Sequence, residues 1–548
     1  MKNITKIFTV LAAASMTLAS CIEEPVLQSA TATAEQVGAS ATALKASVSG
    51  IPAQMSQGYL VYGTQNDETD MGYPGFMIAQ TELLGDLYPL GGDPGYDWFS
   101  TFNTFTGGTG YQYVRTYIPW RTLYMFIKSA NDVIGAVDIE SPETPDENKG
   151  LAAVAYASRA HAYYLLGVFY EPAANIYTDC SKVLGLTVPI VKPETTGDEI
   201  KNNPRATHDE LNAFILEDLK TAAKLFEETG YKPESKYYPD LAVVYGLMAK
   251  AYMWDEKYAE AAEYAGKAIE ASKATPMTEK EMTDVKSGFN TLCSSWMWAF
   301  KYSPENMRNL CNFTGWMSGE AKWGYSHLTF PGIDKSLYDR MSYTDYRKKM
   351  WLDPDRTKFA YETCRDQAFL DAAPDYLSLK FRCVGGDWED YTTGGACDVP
   401  VMRVEEMYLL EAEAVGMSQG VAAGVEKLNS FMKAYRDPEY NCTLADARAF
   451  QLEVLTQERI EFWGEGNAFP NAKRLRPGTI QNYEGTNAPD VNFQINCKDI
   501  KPNWNYVIPR SEIENNNAIT MELNNPDPAM TVVGPTPIGT YAAAPSAE

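Results

Sequence analysis

Side chains that could hold a sugar ring are concentrated in one glycine-rich segment, residues 91–110. Its six glycines argue against a core position, so its aromatic side chains are predicted to face outward. A sugar ring presents C–H faces that pack on aromatic rings, whereas amides and carboxylates bond to its hydroxyls. The candidate ligand contacts are Tyr96, Asp97, Trp98 and Asn103, with Trp98 stacking and the Asp97 and Asn103 side chains bonding to hydroxyls.

A second segment, residues 312–327, offers three more aromatic candidates among glycines and polar residues. They are Trp316, Trp323 and Tyr325. We expect Trp316 or Trp323 to stack on a second ring of the same oligosaccharide, at about 0.5–1.5 kcal/mol per aromatic contact beyond area burial. This predicts weak recognition spread over several rings; packing of both loops on the protein body is the alternative.

The first residues predict export and a lipid anchor. Two lysines precede an apolar run, residues 7–18, which is too short to span a bilayer and is typical of a signal peptide. The run leads into Leu-Ala-Ser-Cys, so Cys21 resembles the lipidated cysteine of bacterial lipoproteins, with plain secretion as the alternative. Several acyl chains on one cysteine would anchor the protein stably. Glu23 and Glu24 resemble a signal that directs lipoproteins to the outer face of the cell.

Charge and missing motifs exclude several classes of function. Without residues 1–20 the chain carries 45 basic and 72 acidic side chains, a net charge of about −27. Such a charge argues against binding nucleic acid or anionic lipid, so membrane contact is expected through the lipid anchor only. The sequence has no Walker loop, no G-x-S-x-G and no H-E-x-x-H, which predicts a protein that is not an enzyme and uses no cofactor. An enzyme of unrecognised type is the alternative.

Histidine and cysteine spacing predicts no metal site. The three histidines, His161, His208 and His327, are far apart and are expected to be structural. Eight cysteines follow Cys21, without a C-x-x-C pair. The sequence therefore leaves open whether these cysteines form disulfides or remain free, buried thiols.

Residues 241–272 follow the spacing of a tetratricopeptide repeat, a pair of antiparallel helices. Small residues let two helices approach closely, while tyrosines fill the groove between them. The matching positions are Ala249, Tyr252, Tyr258, Ala261, Tyr264 and Ala268. An ordinary helical hairpin is the alternative for this segment taken alone.

Other segments predict further helix pairs. Residues 111–137 and 149–170 form one candidate pair, and residues 401–415 and 421–435 form another. The capping box at residues 207–210, Thr-His-Asp-Glu, opens a helix with apolar residues at helical spacing. Several such pairs favour a multi-repeat helical scaffold.

Residues 273–400 lack this periodicity and are predicted to be an irregular, loop-rich insert with a few short strands. Trp296, Trp298 and Phe300 alternate as in a strand, so both tryptophans are assigned to the core and not to the ligand.

The composition also predicts flexible ends. Residues 21–50, rich in Ala, Ser and Thr, are predicted to form a tether after the signal peptide, residues 1–20. Residues 526–548 lack periodicity and are predicted to form a flexible tail. The folded domain is therefore expected over residues 51–525.

Four stretches, in order along the chain, resemble motifs of the SusD/RagB family of outer-membrane lipoproteins. One is the Arg-Ala-x-x-Tyr helix, and another is a helix of arginine, aliphatic residues, glutamate and tyrosine. The others are an "ERR-E-EG" segment with its basic follow-up and a closing "IP-SEI" signature. They lie at residues 159–170, 399–414, 458–476 and 506–513.

This resemblance implies a mostly α, SusD-like fold with repeat-type helices over about 111–272 and 401–465. It implies an outer-membrane lipoprotein, displayed at the cell surface, that captures a glycan and closes as a lid over a SusC-like TonB-dependent transporter barrel. Trp98 with Asn103 also resembles the stacking tryptophan and hydrogen-bonding asparagine of the family's sugar site. A RagB-like lid that captures peptides, and a scaffold that binds only proteins, are the alternatives.

Overall fold

The computed structural model describes residues 41–58, 60–61, 64–65, 71–91, 97–310, 312–489 and 493–532. The predicted signal peptide, Cys21, Tyr96 and the end of the predicted tail lie outside these residues. Of the helices in the described ranges, none has both the length and the apolar character needed to cross a membrane.

Helices dominate the structure, as the sequence predicts. The first part of the chain forms α1 (Ala41–Met55), α2 (Tyr73–Leu84), α3 (Val114–Ile134), α4 (Asp146–Tyr170), α5 (Gly197–Ile200), α6 (His208–Thr229), α7 (Leu241–Trp254) and α8 (Tyr258–Ser272). The middle contains short helices: α9 (Glu279–Thr283), α10 (Phe313–Met317), α11 (Ser326–Thr329), α12 (Lys335–Asp339), α13 (Gln367–Ala372) and α14 (Tyr391–Gly394). The last part forms α15 (Val404–Gln419), α16 (Val421–Tyr435), α17 (Ala447–Glu461), α18 (Phe469–Leu475), α19 (Arg510–Asn515) and α20 (Pro528–Thr531).

The short strands of the described residues form antiparallel pairs. They are β1 (Leu60–Val61), β2 (Thr64–Gln65), β3 (Leu87–Pro89), β4 (Trp296–Lys301), β5 (Pro331–Ile333), β6 (Asp398–Arg403), β7 (Thr479–Ile480) and β8 (Asn496–Cys497). The pairs are β1 with β2, β3 with β5, β4 with β6, and β7 with β8. The β3–β5 and β4–β6 pairs attach the predicted insert to the rest of the chain. Turns of 3₁₀ helix occur at Ser100–Asn103, Pro304–Asn306, Tyr346–Met350, Val384–Gly386, Pro502–Trp504 and Met521–Leu523.

The long helices pack side by side in one array. α3 packs on α4, α4 on α6, α6 on α7 and α7 on α8. α8 then packs on α15, which carries α16 and α17. The helix array is therefore continuous in space, although residues 273–400 separate its two parts in sequence. This confirms the predicted helical scaffold with a loop-rich insert.

The predicted repeat at residues 241–272 forms the α7–α8 pair. Ala249, Ala261 and Ala268 are fully buried, and the rings of Tyr252 and Tyr264 stack with centroids 5.5 Å apart. The alanines bring the two helices together, and the stacked tyrosines fill the space beside them.

Two other predicted features of the scaffold are present. Thr207 caps α6, with its Oγ1 accepting from Glu210 N at 3.2 Å while Glu210 Oε2 accepts from Thr207 N at 2.8 Å. α15 and α16 cross closely at two glycines, because a Cβ on Gly424 would lie 2.6 Å from Gly416 Cα.

The predicted tether is partly wrong. Residues 41–50 form the first part of α1, whose Leu44, Val48, Ile51 and Met55 are buried where α1 packs on α3 and α4. Only every third or fourth residue of this helix is a large apolar one, so its average composition resembles that of a linker.

The predicted tail also begins later than residue 526. Asp527 Oδ2 accepts from Tyr111 N at 2.9 Å, and Pro528 at the start of α20 is buried. These contacts keep the chain on the body of the protein to the end of the described residues.

The motif residues of β6 and α17 form a buried cluster of charges. Arg403 donates from Nε to Glu465 Oε2 at 2.8 Å and from Nη1 to Glu461 Oε1 at 3.0 Å. Arg436 donates to Glu461 Oε2 at 2.7 Å and to Glu405 Oε1 at 3.0 Å. These five side chains are almost completely excluded from solvent. Burial alone would raise the pKa of Glu461, but Arg436 and Arg403 hold it well below its usual value.

The insert joins the same cluster. Lys380 donates to Glu465 Oε1 at 2.6 Å, and Arg347 lies 3.4 Å from Glu461 Oε2 while it donates to Asp345 at 2.7 Å. Four cations thus meet four carboxylates, so the buried charges balance.

The described histidines and cysteines play structural roles or are free. His161 Nε2 lies 3.0 Å from the Tyr73 hydroxyl, and His208 bridges Glu171 at 3.0 Å and Asp255 at 2.7 Å. The seven cysteines within the described ranges have free thiols, and Cys311 lies outside them.

We expect Ala261→Trp to destabilise the protein because the new ring has no space between α7 and α8. Overpacking of this kind costs about 1–3 kcal/mol of unfolding free energy. Ala259→Trp on the exposed side of the same helix is the matched control. Denaturant unfolding measures both, and equal stability of the two variants would contradict the repeat packing.

Candidate functional site

Trp98 is the one predicted ligand contact in the described ranges whose ring reaches solvent. Its side chain is 38% exposed, in the turn that precedes the 3₁₀ segment Ser100–Asn103. Stacking of a ligand on this exposed ring stays a prediction.

The other aromatic candidates lie beneath or beside this loop and not at its surface. Trp316 and Tyr325 are buried, with ring centroids 4.8 Å apart. Trp316 also meets Phe99 edge to face at 4.9 Å. The expectation that Trp316 and Tyr325 face a ligand is not met in this structure, because both rings are buried.

Trp323 is also buried, in a separate small cluster. It packs with Ala321 and Cys383, and Trp388 and Tyr391 cover the group. The glycines of residues 312–327 predicted an open loop, but they permit close packing instead: a Cβ on Gly324 would lie 2.4 Å from the backbone of Gly315. Trp323 therefore stabilises the insert in this structure.

Asn103 holds the loop in place and does not face solvent. Its side chain is fully buried and its Nδ2 donates to Leu87 O, at the start of β3, at 2.9 Å. The amide predicted to bond a ligand hydroxyl thus attaches the Trp98 loop to the β3–β5 pair.

Asp97 is likewise a buried support. Its Oδ1 accepts from Phe99 N at 3.0 Å, and its backbone carbonyl accepts from Ser100 Oγ at 2.7 Å. These hydrogen bonds fix the turn that contains Trp98. Asp97 and Asn103, the two polar residues predicted to contact a ligand, therefore both stabilise the loop.

Lys501 and Asn503, about 400 residues later in the chain, hold the backbone of this loop by hydrogen bonds. Lys501 Nζ donates to Phe102 O at 3.3 Å and to Asn103 O at 3.1 Å. Asn503 Nδ2 donates to Phe102 O, Thr104 O and Gly107 O at 3.0–3.1 Å. Burial lowers the pKa of Lys501 to about 8. Sequence reasoning missed this pair, since the surrounding residues 496–505 are largely polar and nothing local distinguishes these two side chains from their neighbours.

Glu82 of α2 interacts electrostatically with Asp97. Glu82 is completely buried, and burial raises its pKa well above the usual value, with the Asp97 charge adding to the shift. Arg115 and Lys501 oppose the shift without abolishing it. Burial raises the pKa of Asp97 as well, and two carboxyls in one buried site cannot both ionise cheaply, so folding favours the neutral form of Glu82.

The described residues contain no group of three or more histidine, cysteine or acidic side chains that could hold a metal ion. A cavity with a volume of about 760 Å³ lies between α3, the chain at residues 189–203 and α19. Trp120, Tyr124 and Ile200 contribute to its apolar walls.

Comparison with known proteins finds a family model that matches part of the chain, and solved structures that share its fold. Residues 99–253 match a family model, SusD-like, described as starch-binding and associating with the outer membrane. No curated protein matches the sequence.

Solved structures from Bacteroides share the fold at low sequence identity. A SusD-like carbohydrate-binding protein from Bacteroides vulgatus matches with a TM-score of 0.69 at 21% identity, over 88% of this chain and 98% of that one. Surface glycan-binding protein A from Bacteroides fluxus matches with a TM-score of 0.62 at 17% identity, over 89% and 99%. A SusD superfamily protein from Bacteroides thetaiotaomicron matches with a TM-score of 0.64 at 17% identity, over 88% and 99%.

We expect Glu82→Gln to make the protein less sensitive to a rise in pH above the ordinary pKa of a glutamate. Folding raises the pKa of Glu82 above its ordinary value of 4.5, so the native state loses stability as pH rises from that value toward the raised one. Glutamine keeps a neutral side chain of the same shape and removes this loss.

The difference in thermal midpoint, variant minus wild type, should therefore increase between about pH 5 and pH 8. Glu522→Gln, at an exposed position, is the control and should follow the wild type. Parallel curves for Glu82→Gln and wild type would show that folding does not favour the neutral form of Glu82.

Proposed function

We propose that this chain is a SusD-like protein that captures oligosaccharides or polysaccharides at the cell surface, since residues 99–253 match the SusD-like family model and a solved SusD-like protein shares its fold. The observation that carries this proposal is the exposed ring of Trp98, on a loop whose backbone is held by hydrogen bonds from Lys501 and Asn503. The family model is described as starch-binding, and two of the similar structures are named carbohydrate-binding and glycan-binding proteins.

The physics of the loop suits a weak, repeated interaction with sugar rings. Asn103, Lys501 and Asn503 fix the backbone of the loop by hydrogen bonds, so little loop freedom is lost when a sugar ring stacks on Trp98. One stacking contact contributes about 0.5–1.5 kcal/mol beyond area burial, which suits a long glycan that meets several copies of the protein.

The proposal includes a lipid anchor at Cys21 and a SusC-like TonB-dependent transporter as partner. In this role the protein is a binding subunit and not an enzyme. An exposed apolar surface supports the partner: Leu184, Ile200, Met521 and Leu523 are each 39–55% exposed. We call these four side chains the apolar face.

Hydrogen bonds join the segments that carry the apolar face. Arg205 donates to Leu186 O and to Leu523 O, at 2.6 and 2.9 Å. Asn517 N donates to Lys201 O at 2.7 Å, next to Ile200. Exposed apolar side chains on neighbouring, fixed segments are typical of protein–protein contact surfaces.

We expect Trp98→Ala to weaken binding to a glycan that the wild type binds, by about three- to tenfold, since one stacking contact is lost. Affinity gels and calorimetry with plant, host and microbial polysaccharides measure this. Tyr343→Ala removes an exposed aromatic ring on another loop and should bind like the wild type. Unchanged binding by Trp98→Ala, or binding to peptides only, would contradict the proposal.

We expect the double variant Met521→Glu and Leu523→Glu to lose its transporter because two charges would be buried against an apolar partner. Pull-down of the tagged full-length protein from gently solubilised outer membranes measures the recovery of a barrel protein. Tyr343→Glu places a charge at another exposed apolar position and should keep the partner. Recovery of the barrel with the double variant would exclude the apolar face.

A further inference from the structure

Two cysteines of the insert, Cys364 and Cys383, are in contact with each other. Their side chains are hydrogen-bonded, and this bond raises the pKa of the Cys383 thiol well above its usual value, with burial adding to the shift. Both thiols are free in this structure. Cys364 precedes α13 and Cys383 follows it, so the chain between them folds back to bring the two sulfur atoms together.

Buried Glu320 holds the segments of both cysteines in place. Its Oε1 accepts from Cys364 N at 3.1 Å, and its Oε2 accepts at 2.8 Å from Nη1 of Arg382, the residue before Cys383. Arg382 Nη1 also donates to Glu362 O at 3.2 Å, close to Cys364 in the chain. These hydrogen bonds do not involve either thiol, so they hold the two segments together whether the sulfur atoms are reduced or oxidised.

The turn after Cys383 brings the two backbones close to each other. Gly386 N donates to Cys383 O at 2.9 Å, and a Cβ on Gly386 would lie 3.4 Å from Cys364 Cβ. Gly386 has φ +79°, a conformation that glycine adopts without strain. A disulfide requires facing side chains on Cα atoms no more than about 7 Å apart. Close backbones and touching thiols favour that geometry.

The two thiols differ in their access to solvent. Cys364 is half-buried, whereas Cys383 is completely buried with Ala321 and Trp323 under the ring of Trp388. A reagent in solution therefore reaches Cys364 first. Cys383 is protected from the reagent but lies beside Cys364, which is the arrangement of an attacking thiol and a resolving thiol in disulfide exchange.

We propose that Cys364 and Cys383 form a reversible disulfide that joins the chain before α13 to the chain after it. The predicted signal peptide supports this proposal, because disulfides form and persist in exported proteins. The bridge closes a loop of residues 364–383 and restricts its local opening. The inference requires export of the chain and does not depend on glycan capture by Trp98.

The bond forms by exchange with an oxidant that is itself a disulfide, such as oxidised glutathione. Cys364 loses its proton to solvent, and its thiolate attacks one sulfur of the oxidant, whose S–S bond breaks and releases a thiolate. Cys383 then loses its proton and attacks Cys364 Sγ, which breaks the mixed disulfide and releases the second thiolate. The two released thiolates take up the two protons. Two cysteines are thus oxidised while one disulfide is reduced to two thiols.

Peptide mapping of the purified full-length protein tests this proposal. The native protein is incubated with oxidised glutathione, its remaining thiols are alkylated, and it is digested with trypsin without reduction. We expect the peptide of residues 359–365 to be linked to the peptide of residues 383–403, and dithiothreitol should remove the link. Oxidation should also raise the thermal midpoint by roughly 2–5 °C, because the bridge restricts the unfolded chain.

The longer peptide also contains Cys397, so variants identify the linked thiol. Cys397→Ser removes another buried thiol from the same peptide and is the matched control, which should keep the link. Cys383→Ser should lose the link and retain glutathione on Cys364, because the resolving thiol is absent. Cys364→Ser should lose the link and the rise in thermal midpoint.

The wild type alone already decides the proposal, so it does not depend on the folding of any variant. Absence of the link after incubation with oxidised glutathione would overturn it. A link from Cys364 to any other cysteine, or a link that persists in Cys383→Ser, would also overturn it.

Discussion

The buried pairing of Arg403 and Arg436 with Glu461 is the interaction on which the rest of the structure depends. Arg403 ends β6, Arg436 follows α16 and Glu461 ends α17, so one carboxylate joins three parts of the scaffold. Removing one partner from such a cluster leaves an unpaired buried charge, which costs about 3–5 kcal/mol. Lys380 and Arg347 extend the cluster into the insert, so the insert takes its position from the same balance of charge.

The cluster is connected to the Trp98 loop through α17. Arg459, on that helix, pairs with Asp86, and Trp463 Nε1 donates to Asp86 O at 2.6 Å. Asp86 precedes β3, whose Leu87 carbonyl accepts from Asn103 in the loop. Residues that resemble a family motif in the sequence thus act at a distance from any ligand. They hold the short strand β3, to which the loop that carries Trp98 is bonded through Asn103.

In our proposal, Trp98 recognises glycans through a flat, exposed ring whose interaction with a sugar depends on area more than on hydroxyl geometry. A surface of this kind tolerates many glycans. The polar side chains beside it, Asp97 and Asn103, serve the loop itself and leave the ring as the part that meets a ligand.

The helix pairs were determined by the sequence alone, since alanine and tyrosine spacing at residues 241–272 and the Thr207–Glu210 capping box are local signals that need no distant contact. The burial of Trp296 and Trp298 also followed from strand alternation. The roles of Trp316, Trp323 and Asn103 were decided only by tertiary structure. Glycines permit an exposed loop and a tightly packed one equally well, and the contacts that choose between them, such as Phe99 on Trp316 and Leu87 O on Asn103, join segments that are remote in sequence or separated by a turn.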